Sequence, residues 1–140
     1  MSEIVFVDTN VLLDVLLDRA PFVRDAQRLW TLVEQKQIRG AVSAASFLNV
    51  YYIVRRLANR RDAERAVRAI RALFQVVSVD QAIVDQAIES GAADFEDAVQ
   101  YACAVRTGAQ CIVTRDERHF ARFPMPALPP SALFVKMRLE

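Results

Sequence analysis

Four aspartates in this sequence stand at positions where their carboxylates could act together. Asp8 and Asp116 each follow a short apolar run typical of a buried strand, and ligands of open α/β sheets sit at strand ends. Asp94 and Asp97 are three residues apart at the start of a predicted helix, so they share one face. Carboxylates brought together repel, so such a cluster requires a cation, and Mg²⁺ and Mn²⁺ prefer oxygen ligands. The pattern therefore predicts a metal site that could place a phosphate and activate water.

Each aspartate also has a structural explanation. Asp94 could be a helix N-cap, with Asp97 favoured in the first turn by the helix dipole. Asp116 could open a turn before a short helix that begins at Glu117. Asp8 has the weakest structural alternative, because burying an unpaired charge costs several kcal/mol. Taken together, the four aspartates favour a metal site over four separate structural explanations, because all of them fall at predicted positions along one edge of a sheet.

Short apolar runs alternate with helical patterns, which indicates βαβ units and a parallel sheet. The predicted strands are Ile4–Val7, Ala41–Ser43, Val76–Val79 and Cys111–Val113, with Leu133–Val135 as a further edge strand. Right-handed crossovers would collect the strand ends at one edge, where Asp8, Ser43 and Asp116 would meet. The predicted fold class is α/β, with three layers (α/β/α) around a central parallel sheet of four or five strands.

Helical spacing of apolar residues fills the intervals between the strands. Predicted helices run from Val11 to Leu17, from Pro21 to a stop at Gly40, from Ser46, along Ala63–Phe74, after Asp80, and from Asp94 to Gly108. There is no internal repeat, so residues 1–140 are predicted to form a single domain.

Composition restricts the class of protein. Of the 140 residues, 54% are hydrophobic, which allows a sizeable core. No run approaches the ~20 apolar residues of a membrane span, and no secretory signal is expected. Cys103 and Cys111 lack metal spacing, so a cytoplasmic protein with reduced thiols is the simplest interpretation. A formal net charge of +1 decides nothing about nucleic acid.

Four segments resemble, in order and spacing, the motifs of the PIN domain, a family of metal-dependent ribonucleases. The first is Ile4–Asp14, an apolar strand that closes on Asp-Thr-Asn. Ser43–Tyr52 lies where the second motif belongs, and Asp94–Gln100 is similar to the third. Ile112–Asp116, followed by Phe120, is similar to the fourth. The resemblance therefore extends over nearly the whole chain.

The resemblance implies a metal-dependent endoribonuclease. Asp8, Asp97 and Asp116 would hold Mg²⁺ or Mn²⁺ and serve catalysis. Asp94 and Asn49 would be further oxygen donors to the metal. The side chains that would orient ligands or touch substrate are Thr9, Asn10, Ser43, Thr114 and Arg115.

The resemblance also implies biology. Short proteins of this type are commonly toxins of bacterial or archaeal toxin–antitoxin pairs, so the expected partners are RNA, a small antitoxin protein and a second copy of the chain. No membrane association is expected. Tyr51 and Tyr52, beside Arg55, could form a partner surface or belong to the core.

Two of the motifs depart from the family pattern. The second motif usually supplies an acid, most often Glu, and here that position is Asn49, which can donate an oxygen to a metal but brings no charge. Metal affinity, and with it activity, is expected to fall. In the fourth motif His119 stands where the family often has Asp, and Asp116 where it often has Asn.

Three other polar residues have mainly structural interpretations. His119, the only histidine, is interpreted as an exposed helix residue, with a contact to metal or substrate as the alternative. Asp14 and Asp18 lie on the first predicted helix and are interpreted as solvated, although Asp14 could support the site from a second layer.

Arginines supply a candidate surface for RNA. They are Arg55, Arg56, Arg60, Arg61, Arg65 and Arg68, with Arg115 and Arg118 nearer the predicted site. Phosphate contacts of this kind give salt-dependent, largely sequence-independent binding. A solvated helix face with arginine stems over apolar neighbours explains the same pattern equally well.

Two other classes of protein could contain the same pattern. One is a non-catalytic module with the same fold, its metal site weakened at Asn49, which binds RNA or a protein. Another is a phosphoryl-transfer or phosphoacceptor protein, which also uses a strand-end Asp. The dehalogenase type would need a second Asp where Asn10 stands, and a receiver domain would need a late-strand Lys that this chain lacks. Three glycines cannot form a dinucleotide-binding turn.

Overall fold

The central element of the protein is a five-stranded sheet in which every neighbouring pair of strands is parallel. The computed structural model describes residues 3–138. The strands are β1 (Ile4–Val7), β2 (Arg39–Ser43), β3 (Gln75–Val77), β4 (Ile112–Val113) and β5 (Ala127–Leu128). Their order across the sheet is β3-β2-β1-β4-β5, so β1 lies at the centre.

Helices connect the strands and cover both faces of the sheet. They are α1 (Thr9–Leu16), α2 (Val23–Glu34), α3 (Ala44–Leu57), α4 (Arg60–Leu73), α5 (Gln81–Glu89), α6 (Phe95–Arg106) and α7 (Pro130–Lys136). A 3₁₀ turn spans Glu117–Phe120. Parallel strands need such crossovers, because after each strand the chain must return to the end of the sheet at which the strands begin.

The alternation of side chains along β1 divides the core into two halves. Val5 and Val7 enter the core beneath α1 to α4 and α7, and Phe6 enters the opposite core beneath α5 and α6. All three are fully buried. An apolar strand covered on both faces must have helices on both sides, so the predicted three-layer α/β/α fold with a parallel central sheet is confirmed.

Two helices begin immediately after a strand, which places polar residues at the edge of the sheet. The Asp8 side chain caps α1 and the Ser43 side chain caps α3, each by accepting a hydrogen bond from a backbone N–H of the first turn. Asp94 caps α6 in the same way. The requirement for a cap thus places two of the predicted site aspartates at helix starts.

Two element predictions were wrong. Leu133–Val135, predicted as an edge strand, lies in α7, where Leu133 and Phe134 are buried and Pro130 stands in the first turn. The fifth strand is Ala127–Leu128 instead, paired to β4. Gly40, predicted as a helix stop, lies within β2, because α2 already ends at Glu34.

Smaller boundary differences accompany these errors. The third strand is Gln75–Val77 rather than Val76–Val79, and α1 begins at Thr9 rather than Val11. Among residues 3–138 there is no helix long and apolar enough to span a bilayer.

Replacing Gly40 by alanine should destabilise the fold. An added Cβ would lie 2.6 Å from Cδ1 of Phe74 and 3.2 Å from Cγ2 of Val33. The Phe74 ring is 3% exposed and packs edge-on against Trp30, so it has little room to move. The expected loss for Gly40→Ala is about 1–3 kcal/mol of unfolding free energy, the usual cost of overpacking. Urea unfolding measures it.

The Phe74→Leu background provides the control. Leucine lacks the ring atoms that would meet the new Cβ, so Gly40→Ala should cost clearly less in that background than in the wild type. An equal cost in both backgrounds would show that the Phe74 contact is not the cause.

Candidate active site

The Asp8 carboxylate is the most constrained polar group at the edge of the sheet. Its residue is 9% exposed. Oδ1 accepts hydrogen bonds from the backbone N–H of Thr9 at 2.9 Å and from Nε2 of Gln100 at 3.0 Å. Oδ2 accepts one from the Thr114 hydroxyl at 2.9 Å. These donors come from α1, α6 and the end of β4, and they offset the loss of water around the buried charge.

Thr114 and Asn10 link Asp8 to Asp116. The Thr114 hydroxyl donates to Asp8 and accepts from the backbone N–H of Asp116 at 3.0 Å. Nδ2 of Asn10 donates to Oδ2 of Asp116 at 3.0 Å and lies 3.4 Å from the Thr114 hydroxyl. Asn10 also accepts, at 3.5 Å, from the backbone N–H of Arg115. The loop after β4 is therefore fixed to α1 through side chains predicted to orient ligands.

The start of α6 contributes three more carboxylates. Oδ1 of Asp94 accepts from the backbone N–H of Asp97 at 3.1 Å, so Asp94 is an N-cap as well as a candidate ligand. Burial, followed by the charge of Asp94, raises the pKa of Asp97 to about 6, with His119 opposing the rise. Burial, followed by the charges of Asp8 and Asp94, also raises the pKa of Glu96. Negative charge is thus crowded here.

These groups line a common cavity of about 450 Å³. It contains all five residues predicted to bind metal, together with Glu96 and His119: Asp8, Asn49, Asp94, Asp97, Asp116, Glu96 and His119. His119 is exposed, and its Nδ1 lies 3.8 Å from Oδ2 of Asp97. Elements distant in the sequence thus bring the predicted ligands to one place.

The donors in this cavity suit a hard divalent cation in kind, because they are carboxylate and amide oxygens. Within residues 3–138, however, no three His, Cys, Asp or Glu side chains already stand in ligating geometry. Oxygens of Asp8 and Asp116 are engaged by Gln100, Thr114 and Asn10. A bound cation would therefore require side-chain rotations, and its charge would offset the repulsion from Asp94 that adds to burial in raising the pKa of Asp97.

Other residues predicted to orient ligands or substrate lie elsewhere or play structural parts. Thr9 is among the residues that line the cavity, but its hydroxyl is 2.8 Å from the Ser46 hydroxyl in a buried pair. Ser43 is fully buried, and its hydroxyl accepts from the backbone N–H of Ala45 at 3.0 Å. Ser43 does not line the cavity, so its part is to start α3.

Arg115 does not line the cavity, and other groups hold its guanidinium. Its Nε donates to Oδ2 of Asp14 at 2.7 Å, and the guanidinium lies 4.0 Å from the centre of the Phe22 ring. Asp14 is only 1% exposed, so the interpretation of Asp14 as solvated was wrong. Arg19 lies 3.8 Å from the other oxygen of Asp14 and also lines the cavity. Asp18 is exposed, as predicted.

Sequence reasoning missed Gln100, Glu96 and Arg19 as members of the site. Gln100 is 2% exposed in a stretch of α6 that is otherwise buried and apolar. A polar residue on a buried helix face, three positions after Asp97, is a signal that could have identified it. Glu96 adjoins Asp97 but carried no separate signal. The position of Arg19 depends on the turn after α1, which no periodicity predicts.

Asp97→Asn should stabilise the metal-free protein near neutral pH. Because the pKa rises from 3.8 to about 6 on folding, the ionised carboxylate disfavours the folded state. The wild-type free energy of unfolding therefore falls as the pH rises from 3.8 to about 6, and the neutral amide of the variant would avoid that loss. In urea unfolding with EDTA, the variant should exceed the wild type at pH 7.5, and the difference should shrink towards pH 4.

Asp18→Asn is the matched control, because Asp18 is exposed and outside the cavity. Its effect should not follow the same pH window. A stabilisation by Asp97→Asn that is as large at pH 4 as at pH 7.5 would contradict the titration of Asp97 as its cause.

The sequence matches a known protein family over most of its length. A family model for the PIN domain matches residues 4–118. Ribonuclease VapC1 of Aquifex aeolicus (strain VF5) is 23% identical over 125 residues, which cover 86% of each chain.

Solved structures agree in fold. VapC20 of Mycobacterium tuberculosis, described as a sarcin-ricin loop cleaving toxin, has a TM-score of 0.70 and 24% identity, covering 85% of this chain and 95% of that chain. A toxin-antitoxin complex from Klebsiella pneumoniae has a TM-score of 0.67 and 20% identity, covering 90% and 97%. Because the family model spans most of the sequence, this chain belongs to the PIN-domain family.

Proposed function

We propose that this protein is a metal-dependent endoribonuclease that hydrolyses RNA phosphodiester bonds, and that it is the toxin of a toxin–antitoxin pair. The observation that carries the proposal is the buried Asp8 carboxylate, held by three donors and facing the cavity that Asp94, Asp97 and Asp116 also line. A related protein is a named ribonuclease, and the matching family model is that of the PIN domain.

Asp8, Asp97 and Asp116 would hold Mg²⁺ or Mn²⁺, with Asp94 and Asn49 as further oxygen donors. When bound, the ion supplies an activated water and neutralises charge on the phosphate. Asp8 has the most fixed position, because three elements donate hydrogen bonds to it. Thr114 and Asn10 hold the backbone and carboxylate of Asp116 beside it. These contacts restrict Asp8 and Asp116 before substrate arrives, and such preorganisation is a main contribution of protein to catalysis.

RNA would approach this acidic cavity over basic residues. Asn49 and Ile53 of α3 line the cavity, and Arg56 follows Ile53 by three positions on the same helix side. Arg19 lies at the cavity itself, and Arg118 lies in an adjoining hollow with Asp94, Asp97 and His119. The arginines of α3 and α4 proposed for RNA binding are all exposed: Arg55, Arg56, Arg60, Arg61, Arg65 and Arg68. Arg115 is not in this set, because Asp14 and Phe22 hold it.

An antitoxin and a second copy of the chain are the proposed protein partners. Large apolar side chains are exposed on α3, with Leu48 at 75%, Tyr52 at 63% and Leu57 at 67%. Exposed apolar groups that cluster on one element favour a protein contact. Tyr51 instead packs against the core, so of the two tyrosines only Tyr52 supports a partner surface.

A non-catalytic module with the same fold is the alternative, and two observations favour it. Asn49 brings no charge where the family commonly has an acid, and the carboxylates within residues 3–138 are not in ligating geometry. A titration with Mn²⁺ separates the two functions, because the module should bind the ion poorly.

Asp8→Asn should abolish cleavage while the protein stays folded. Asparagine keeps the shape of Asp8 but removes its charge, and a single preorganised electrostatic group is typically worth ~100–1000-fold in rate. Cleavage of a structured RNA pool with Mn²⁺ or Mg²⁺, run beside EDTA, measures the effect. Circular dichroism checks the fold.

Asp18→Asn is the control for this change, because it removes an exposed acid outside the cavity. It should cleave like the wild type. Full activity in Asp8→Asn, or cleavage that persists in EDTA, would refute the proposed function.

Arg56→Ala should weaken RNA binding in a salt-dependent way. Each phosphate contact to a single strand contributes roughly 0.7 to the slope of log affinity against log salt. In the Asp8→Asn background, which prevents cleavage, loss of Arg56 should reduce that slope by about this amount. Fluorescence anisotropy with a labelled RNA measures it.

Arg39→Ala is the matched control for Arg56→Ala. Arg39 is exposed at the start of β2, the opposite edge of the sheet from the cavity. It should leave the slope unchanged. Equal slopes for Arg56→Ala, Arg39→Ala and the parent protein would remove Arg56 from the RNA path.

A further inference from the structure

A hydrogen bond connects α3 to the first turn of α6 at the cavity. Nδ2 of Asn49 donates to Oε2 of Glu96 at 3.0 Å, between residues 47 positions apart in the sequence. Both side chains line the acidic cavity together with Asp8, Asp97 and Asp116. Asn49, which is neutral, therefore holds the negatively charged carboxylate of Glu96 beside its own position at the cavity.

We propose that Glu96 is a metal-binding carboxylate of this site and that it replaces, from α6, the charge that Asn49 does not supply from α3. This inference rests on the proposed function, because it assumes that the cavity takes Mg²⁺ or Mn²⁺. Under it, Asn49 is also a positioning residue: its Nδ2 holds one oxygen of Glu96 and leaves the other for the ion, while its own Oδ1 keeps the donor role proposed above. The site then has as many acids as it would have with an acid at position 49, although one of them comes from α6 instead of α3.

The chemistry of the two residues supports this exchange. An amide cannot neutralise a divalent cation, but its N–H can orient a carboxylate that does. Glu96 lies in the first turn of α6, where the helix dipole favours negative charge. Its side chain is also longer than that of aspartate, so it can reach towards α3 while Asp97, the next residue, serves the same cavity. Of the carboxylates at the start of α6, Glu96 is the one that accepts the Asn49 hydrogen bond.

A simpler explanation is that Glu96 is an exposed helix residue that acts only through its charge. The chain offers a matched control in Glu117, which is also exposed, also lies in the first turn of its helical segment, and adjoins Asp116 without lining the cavity. A ligand role requires Glu96→Gln to differ strongly from Glu117→Gln. A general charge effect requires them to be similar.

The test is Mn²⁺ binding, measured by isothermal titration calorimetry on the full chain. Glu96→Gln should weaken Mn²⁺ binding by about tenfold or more, the range seen when groups supporting a metal site are removed. Glu117→Gln should stay within about twofold of the wild type, because it removes only a nearby solvated charge. Glu96 is exposed, so both variants should fold, and circular dichroism verifies this.

A double variant that exchanges the carboxylate and the amide between positions 49 and 96 provides the decisive comparison. Asn49→Glu/Glu96→Gln returns the carboxylate to α3 and leaves an amide on α6. It should recover most of the affinity lost in Glu96→Gln, because the donors are exchanged between two side chains that already touch. Recovery of Mn²⁺ affinity would support the exchange, because a merely structural role for Glu96 does not predict it.

The outcomes also separate this inference from the proposed function. If the wild type binds Mn²⁺ and Glu96→Gln binds it equally well, or the double variant is no better than Glu96→Gln, only the role of Glu96 is overturned. If the wild type binds no Mn²⁺ at all, the metal site itself fails and both proposals fall.

Discussion

The buried carboxylate of Asp8 at the end of the central strand is the constraint on which the site depends. An ionised group withdrawn from water is costly unless hydrogen bonds replace its solvation. Here the donors are the backbone of Thr9, the amide of Gln100 and the hydroxyl of Thr114. Because they belong to α1, α6 and the end of β4, the charge is compensated only when all three elements are in place. The fold and the site are therefore stabilised by the same contacts.

Helix capping and metal binding are compatible uses of the same residues. Asp8 and Asp94 each begin a helix and each line the cavity. A cap needs only one carboxylate oxygen, as in Asp94, where Oδ1 accepts from the backbone of Asp97. The second oxygen of Asp94 remains available to an ion, whereas the second oxygen of Asp8 already accepts from the Thr114 hydroxyl. Asp94 is therefore an N-cap, as its structural explanation predicts. This role does not prevent Asp94 from binding a metal, because only one of its oxygens is used for the cap.

Charge around the cavity is unevenly distributed. Carboxylates at the start of α6 crowd one another, which raises the pKa of Asp97 and Glu96 beyond the effect of burial. The α3 side is neutral at Asn49, whose amide instead contacts Glu96. Arg115, an arginine close to the site in sequence, is committed to buried Asp14 and to the Phe22 ring, and it does not offset this charge. The site is thus arranged to favour a cation, with its acids drawn mainly from β1, α6 and the loop after β4.

The sequence by itself determined the parallel three-layer architecture and the edge at which Asp8, Asp94, Asp97 and Asp116 gather. Buried strands are read from continuous apolar runs, and strand ends of a parallel sheet necessarily share an edge. It did not determine α7, because Leu133–Val135 is a short apolar run that also suits a strand. Only the folded structure, in which Leu133 and Phe134 are buried from a helix, decides between the two. Nor did the sequence determine the Gln100–Asp8, Asn49–Glu96 and Arg115–Asp14 contacts, which join residues 92, 47 and 101 positions apart. Local pattern sets the elements, but side-chain partners across such distances are fixed only by packing.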